Sequence, residues 1–243
     1  MIPPDVVELW CVKPEALADA ESVKRCRARV SREDLARIER SASGADRHLR
    51  LVAWALVRTV LSRHAPVAPD AWRFRETEHG RPEIAEPPLA TPLRFNVSHT
   101  PGLAACVVGE TDDVGLDVED MRRRADIAKI TRRFFAHSEI SAIERVDEEH
   151  RTRAFFEHWT LKEAYLKARG AGLSLPLAEV AFSLGPDRPP SVSFGPAIGD
   201  TPAAWQFANL RPAPDYMAAV AIRRRASAPL SIVLRQAIPE VHL

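Results

Sequence analysis

RTRAFFEHWTLKEAYLKARG, residues 151–170, is the stretch on which the reading of the fold turns. At 3.6 residues per turn, Phe155, Trp159 and Leu166 share one apolar stripe, with Phe156 at its edge. Glu163 and Lys167 stand four apart on that same edge. On a wet surface such a pair adds only a few tenths of a kcal/mol. At the margin of an apolar stripe it means more, because a carboxylate turned toward other chain needs a cation or a metal beside it.

Upstream, VGLDVED (114–120) alternates Val114, Leu116 and Val118 with Gly115, Asp117 and Glu119. A strand sends alternate side chains to opposite faces, so Asp117 and Glu119 project together, about 7 Å apart. Two hard oxygen donors on one face suit Mg²⁺, which keeps several waters and accepts phosphate oxygens as further ligands. Read alone, the segment is equally a half-buried strand with a solvated acidic face.

Around these two segments the pattern predicts helices over Glu15–Arg29, Ser31–Arg40, a strong one from Asp46, then Asp126–Phe135, His137–Val146 and Arg151–Arg169. Leu49, Val52, Ala53, Leu56 and Val60 form the stripe of the helix from Asp46, and Ser31 with Asp34 resembles a capping box. Strands are predicted over Asp5–Val12, Trp72–Arg75, Arg94–Ser98, Leu103–Val108, Val114–Val118, Val180–Leu184, Ala204–Leu210 and Tyr216–Ile222. EIAEPPLATP (83–92) reads as a Pro-rich connector and GPDRPPSVSFGPAIGDTP (185–202) as a loop-rich one around one short strand. The tail SIVLRQAIPEVHL (231–243) reads as an edge strand or a trailing segment. Each half is a helix-bearing unit with about three strands, so the expected organisation is 1–112, 113–225 and a tail over 226–243.

Composition narrows the class without naming it. Lys plus Arg total 34 against 33 Asp plus Glu, a formal net charge of +1, so no whole-protein field points to nucleic acid or a membrane. No apolar run is long enough to cross a bilayer and no signal peptide is visible at the start, which sets a cytoplasmic expectation. Cys11, Cys26 and Cys106 are far apart, with neither zinc spacing nor a disulfide framework. Only five of the 34 basic residues are Lys, and two of them, Lys162 and Lys167, lie in TLKEAYLK. Lys, unlike Arg, is a compact ammonium able to give up a proton.

Further phosphate donors are His99 with Ser98 and Thr100 in FNVSHT (95–100), and the guanidinium forks of Arg37, Arg40, Arg47, Arg50 and Arg81. Taken singly, each arginine reads as a solvated surface residue and His99 as a turn histidine.

In order, HGRP (79–82), FNVSHT (95–100), VGLDVED (114–120) and HWTLKEAYLKARGAGLSLPL (158–177) resemble the Sfp-type 4′-phosphopantetheinyl transferase family. The resemblance runs from about Ser31 to Ile222. It implies an α+β fold of two similar halves, a pseudo-duplication. Each half is a long helix packed on a small antiparallel sheet, and the active site lies in the cleft between them. It implies a monomer that moves the phosphopantetheine arm of coenzyme A onto a serine of an acyl or peptidyl carrier protein, releasing adenosine 3′,5′-bisphosphate. Asp117, Glu119 and Glu163 match the family's ligands for Mg²⁺, with Mn²⁺ as the substitute. Glu163 also matches the group that helps deprotonate the carrier serine, Lys167 the one that steadies the leaving phosphate, and His99 a contact to coenzyme A phosphate, with Ser98 in the same turn. Arg37, Arg40 and Arg47 match basic positions for the nucleotide end. Arg81 stands where the family often has lysine, and Thr100 where it often has serine; both changes keep a donor. Such enzymes often serve polyketide and nonribosomal-peptide carriers of secondary metabolism. Two other readings share parts of this pattern. One is a non-catalytic relative that binds coenzyme A or a carrier, which would be free to lose one of the acids or Lys167. The other is an unrelated Mg²⁺-dependent phosphodiesterase or nuclease, which would call for a basic surface or further paired acids.

Overall fold

Four strands, β1 (Val6–Val12), β4 (Arg94–Thr100), β5 (Leu103–Gly109) and β11 (Ser231–Gln236), build the first sheet in the order β11-β1-β5-β4. The computed structural model describes residues 2–41, 43–90, 93–110, 113–123, 126–170, 172–186, 188–224 and 229–237. β4 and β5 form a hairpin that continues through His99 and Thr100 and turns at Pro101–Gly102, where Gly102 takes φ +84°. α3 (Gly44–His64) lies on this sheet. Its Leu49, Val52, Ala53, Leu56 and Val60 all sit in one core with Trp10, Val12, Ala104, Cys106 and Val108. Ser43 caps it by accepting the Asp46 N–H at 3.1 Å.

β11 runs parallel to β1, so this sheet is mixed, where a purely antiparallel one was expected. A parallel pair cannot be closed by a tight turn, and β11 reaches β1 from the far end of the chain. Glu8 ties the two strands together: its carboxylate accepts from the Arg235 Nε and from the Trp10 indole, each at 2.8 Å. The single helix expected over Glu15–Arg29 is instead a 3-10 turn at Pro14–Leu17 and α1 (Ala20–Arg29). Asp19 interrupts it by capping the Glu21 and Ser22 N–H groups. α2 (Arg32–Glu39) follows, capped by Ser31. The expected connector at 83–92 is in part a strand: β2 (Arg73–Glu76) pairs with β3 (Pro82–Glu86). Pro82 is tolerated because it opens β3 in a two-stranded ribbon.

The chain divides into two compact units, Met1–Thr111 with Leu230–Leu243, and Asp112–Pro229. In the second unit β6 (Asp113–Asp120), β10 (Tyr216–Arg223) and β9 (Trp205–Ala213) form an antiparallel sheet in the order β6-β10-β9. β7 (Val180–Gly185) and β8 (Arg188–Phe194) make a separate hairpin, giving the 185–202 segment a seven-residue strand. α4 (Ile127–Phe134) and α5 (His137–Glu144) precede the long α6 (Glu148–Arg169), which ends at Gly170 in the left-handed conformation, φ +60°.

α6 departs from the single stripe read in the sequence. From Ala154 to Gly170 no residue is exposed. Leu161, Ala164, Tyr165 and Ala168 pack with Phe207, Ala219 and Ala221 of the sheet, while Phe155 and Phe156 pack with Phe135, Ile143 and Met217. A helix covered on several sides loses the periodic contrast that marks an amphipathic one.

At the centre of this packing, β6 touches the α6 backbone. A Cβ built on Gly115 would lie 2.0 Å from the Ala164 carbonyl oxygen and 2.4 Å from the Ala168 nitrogen. Neither atom is the movable end of a side chain. Gly115→Ala must therefore force strand and helix apart, and we expect a loss of about 3 kcal/mol or more, at or above the upper end for overpacked cores. Thermal or urea unfolding of the variant checks this; a wild-type midpoint would mean the contact is looser than described.

Candidate active site

The same approach of strand and helix sets the charged groups beside one another. Gly115, Asp117 and Glu119 share a strand face by alternation. With Gly115 against Ala164 and Ala168, Asp117 meets the side chain of Lys167, Nζ to carboxylate 2.7 Å. Asp117 is buried and Lys167 half-buried. Glu163 lies one turn before Lys167 on α6 and Glu119 two residues beyond Asp117 on β6. Trp159, whose ring lies parallel to those of Phe135 and Phe155, donates its indole N–H to Glu119. Arg123 approaches Glu119 from the solvent side at 3.3 Å.

Two of these carboxylates, Glu119 and Glu163, are under-compensated. Burial pushes Glu163 up to about 7, helped by the charges of Asp117 and Glu119 and opposed by Lys167. Burial likewise pushes Glu119 up to about 7, with Asp117 adding to the rise and Arg123, Lys167 and Trp159 opposing it. Lys167, and Arg123 at Glu119, do not offset the rise, so the donor set of hard oxygens fits a divalent cation, whose charge would offset burial and mutual repulsion together.

Among the described residues, the ligand atoms that close to within 4.8 Å of one another belong to a different group, Asp147, Glu149 and His150 at the start of α6. All three are exposed, as surface acids commonly are. The ligand atoms of Asp117, Glu119 and Glu163 do not all close to within that distance of one another.

The remaining residues singled out in the sequence lie in the first unit. Ser98 and His99 are consecutive in β4 and so point to opposite faces, which removes Ser98 and Thr100 as hydroxyl neighbours of the His99 ring. His99 lies near enough to Asp46 for its charge to act there. Slight desolvation raises the Asp46 carboxyl, but Arg50, Ser41 and His99 outweigh it and hold the group below its ordinary value. Arg47, in the first turn of α3, donates to the Ser41 carbonyl at 3.0 Å. Arg37 is exposed and paired with Glu76, and Arg40 is exposed at the end of α2. Arg81 pairs with Glu83 at 2.7 Å.

Two residues that the sequence did not mark as a pair matter as much. Lys162 is fully buried, and its ammonium meets the fully buried Glu139 at 2.8 Å. Of the two lysines in TLKEAYLK, one therefore serves the interior and the other the acidic group. The sole signal was the rarity of Lys in this chain.

A family model described as the 4′-phosphopantetheinyl transferase superfamily matches residues 113–221, and one described as the 4′-phosphopantetheinyl transferase N-terminal region matches residues 18–111. The 4′-phosphopantetheinyl transferase HetI of Nostoc is 30% identical over 221 residues, covering 90% of this chain and 88% of that protein. The chain belongs to the 4′-phosphopantetheinyl transferase superfamily. The 4′-phosphopantetheinyl transferase Sfp of Bacillus subtilis is 31% identical over 69% of this chain and 72% of its own. The psf-1 enzyme of Bacillus pumilus is 27% identical over 91% and 92%. Transfer of the 4′-phosphopantetheinyl group to carrier proteins is accordingly the activity of this transferase. Among its described residues no helix is long and apolar enough to cross a membrane.

The raised carboxylates carry a stability signature. Between the ordinary value of 4.5 and about 7, folded protein holds protons that the unfolded chain has released. Stability of the metal-free transferase must therefore fall as pH rises through that window. Glu163→Gln removes one of the crowded charges. In EDTA at pH 8 we expect it to be more stable than wild type by about 1–2 kcal/mol, or roughly 3–6 °C in Tm, with a flatter pH profile. Calorimetric melts from pH 5 to pH 8 decide it, and an equal or lower Tm at pH 8 would show that Glu163 is not held at electrostatic cost.

Proposed function

We propose that this transferase is Mg²⁺-dependent, takes the phosphopantetheine arm from coenzyme A and releases adenosine 3′,5′-bisphosphate. The carrying observation is the gathering of Asp117, Glu119, Glu163 and Lys167 where β6 meets α6. The three carboxylates would hold the cation, with Mn²⁺ as a working substitute. Once bound, that ion would neutralise charge on the pyrophosphate of the donor.

The chain's own groups then have distinct tasks. The carrier serine oxygen forms a bond to the phosphorus of the phosphopantetheine arm, and the P–O bond to the nucleotide phosphate breaks. Glu163, beside the other two carboxylates, accepts the serine proton directly or through a water. Lys167 is held by Asp117 at the acidic group, and its ammonium steadies or protonates the leaving phosphate. His99 and Arg47, near the start of α3, suit the 3′-phosphate end, where cationic donors and a helix N-terminus favour the same charge. Arg37, Arg40 and Arg81 are further donors for the nucleotide. Arg37 and Arg81 would exchange their present carboxylate partners for phosphate oxygens. Ser98, pointing to the other face of β4, would act through its hydroxyl there. We place this activity in the cytoplasm, in a monomer, on polyketide or nonribosomal-peptide carriers.

Intact-mass spectrometry of an apo-carrier incubated with the protein, coenzyme A and Mg²⁺, with and without EDTA, tests the reading. The expected result is the addition of one phosphopantetheine group, abolished by EDTA and by Asp117→Asn. Lys167→Ala should lower kcat by about 10²-fold or more, the scale of losing one group that stabilises developing charge, with a smaller change in KM for coenzyme A. Transfer that survives EDTA would remove the metal from the proposal. Binding of coenzyme A with no transfer to fatty-acid, polyketide or peptide carriers would leave a binding protein.

A further inference from the structure

Lys162 and Glu163 are consecutive on α6, about 100° apart around its axis, and meet different partners. The Lys162 ammonium meets three acceptors from two other pieces of chain: Glu139 of α5 at 2.8 Å, and, where the chain enters β7, the Leu177 carbonyl at 2.9 Å and the Val180 carbonyl. Glu139 in turn accepts the Phe182 N–H at 2.9 Å and the Ala136 N–H at 2.8 Å. Phe135 closes the site, its ring centroid 5.3 Å from the ammonium. Both side chains of the pair are fully buried.

Stability does not explain such an arrangement, since apolar residues of similar volume do as well or better in a core. Its distinguishing effect is geometric. Acceptors converging on the tip of a long side chain fix where that tip lies, and with it the rotation of the helix about its own axis. Gly115 sets how closely α6 lies to β6 and apolar packing limits its rotation, while the buried pair adds a directional constraint on that rotation. With side chains about 6 Å from the axis, a turn of roughly 20° carries a carboxylate about 2 Å. Metal ligation tolerates deviations of only about 0.2 Å.

We propose that Lys162 and Glu139 are positioning residues for the transfer reaction: they lock α6 in the rotation that turns Glu163 toward Asp117 and Glu119. The proposal rests on the reading of Glu163 as a metal-holding carboxylate. It assigns the two lysines of TLKEAYLK complementary roles, Lys162 holding the helix and Lys167 meeting the acidic group.

The test compares wild type, Lys162→Met, Glu139→Gln and the double variant. Thermal melts are combined with direct Mn²⁺ titration in the presence of coenzyme A, followed by the electron paramagnetic resonance of free Mn²⁺, and with kcat and KM for coenzyme A. Lys162→Met strands a buried carboxylate and should melt lowest, and the double variant should regain most of that loss. If the pair positions Glu163, the double variant still binds Mn²⁺ at least about 10-fold more weakly, the scale of losing an outer-shell support. Its kcat falls comparably, while KM for coenzyme A stays within about threefold. If Lys162→Met fails to fold, Glu139→Gln, which keeps the lysine, carries the same comparison. A folded double variant, or a folded Glu139→Gln, with wild-type Mn²⁺ affinity and kcat overturns the proposal. Failure of wild type itself to bind Mn²⁺ would instead strike the metal-site reading beneath it.

Discussion

A glycine with no room for a methyl group holds the second unit together. Gly115 lets the backbone of β6 rest on the backbone of α6, against the Ala164 oxygen and the Ala168 nitrogen. Asp117 then lies within an ion pair's reach of Lys167, and Glu119 follows on the same face. The small residues of α6 at this contact, Ala164 and Ala168, are buried completely, so the helix presents a smooth surface where the strand needs to come close. Core packing and chemistry thus depend on one separation.

The charges of this unit divide into two kinds. Lys162 and Glu139 are buried with every strong donor and acceptor met, and they behave as part of the core. Asp117 is buried and Glu119 and Glu163 half-buried, with Lys167 beside them and Arg123 on Glu119, and two of the three carboxylates are still raised toward neutrality. A protein selected only for stability would relieve that crowding, whereas one that must hold a cation and receive a proton has reason to keep it. Consecutive residues 162 and 163 of one helix thus differ, one matched by a buried counter-charge and the other raised by burial and neighbouring acids.

The acidic strand and the Glu–Lys helix were legible because each rests on a local rule, alternation in one case and 3.6-residue spacing in the other. The helix from Gly44 to His64 was legible for the same reason. What escaped depends on partners far along the chain. Gly115 is a neutral spacer until the helix that touches it is known. Lys162 is only a rare lysine in the sequence until α5 and the chain entering β7 are seen to cover it. β11 finds its parallel neighbour at the opposite end of the chain, and no local signal gives the sense of that pairing. Ser98 and His99 looked like companions in a turn because the strand was expected to stop two residues early. Carried through Thr100, the strand sends them to opposite faces.

The central claim is that the meeting of β6 and α6 is a metal-holding site, and anomalous diffraction from a crystal of this transferase soaked in Mn²⁺ and coenzyme A tests it most directly. The account predicts one strong peak within about 2.5 Å of carboxylate oxygens of Asp117, Glu119 and Glu163. A peak confined to the exposed Asp147, Glu149 and His150, with none at the acidic strand, would contradict it.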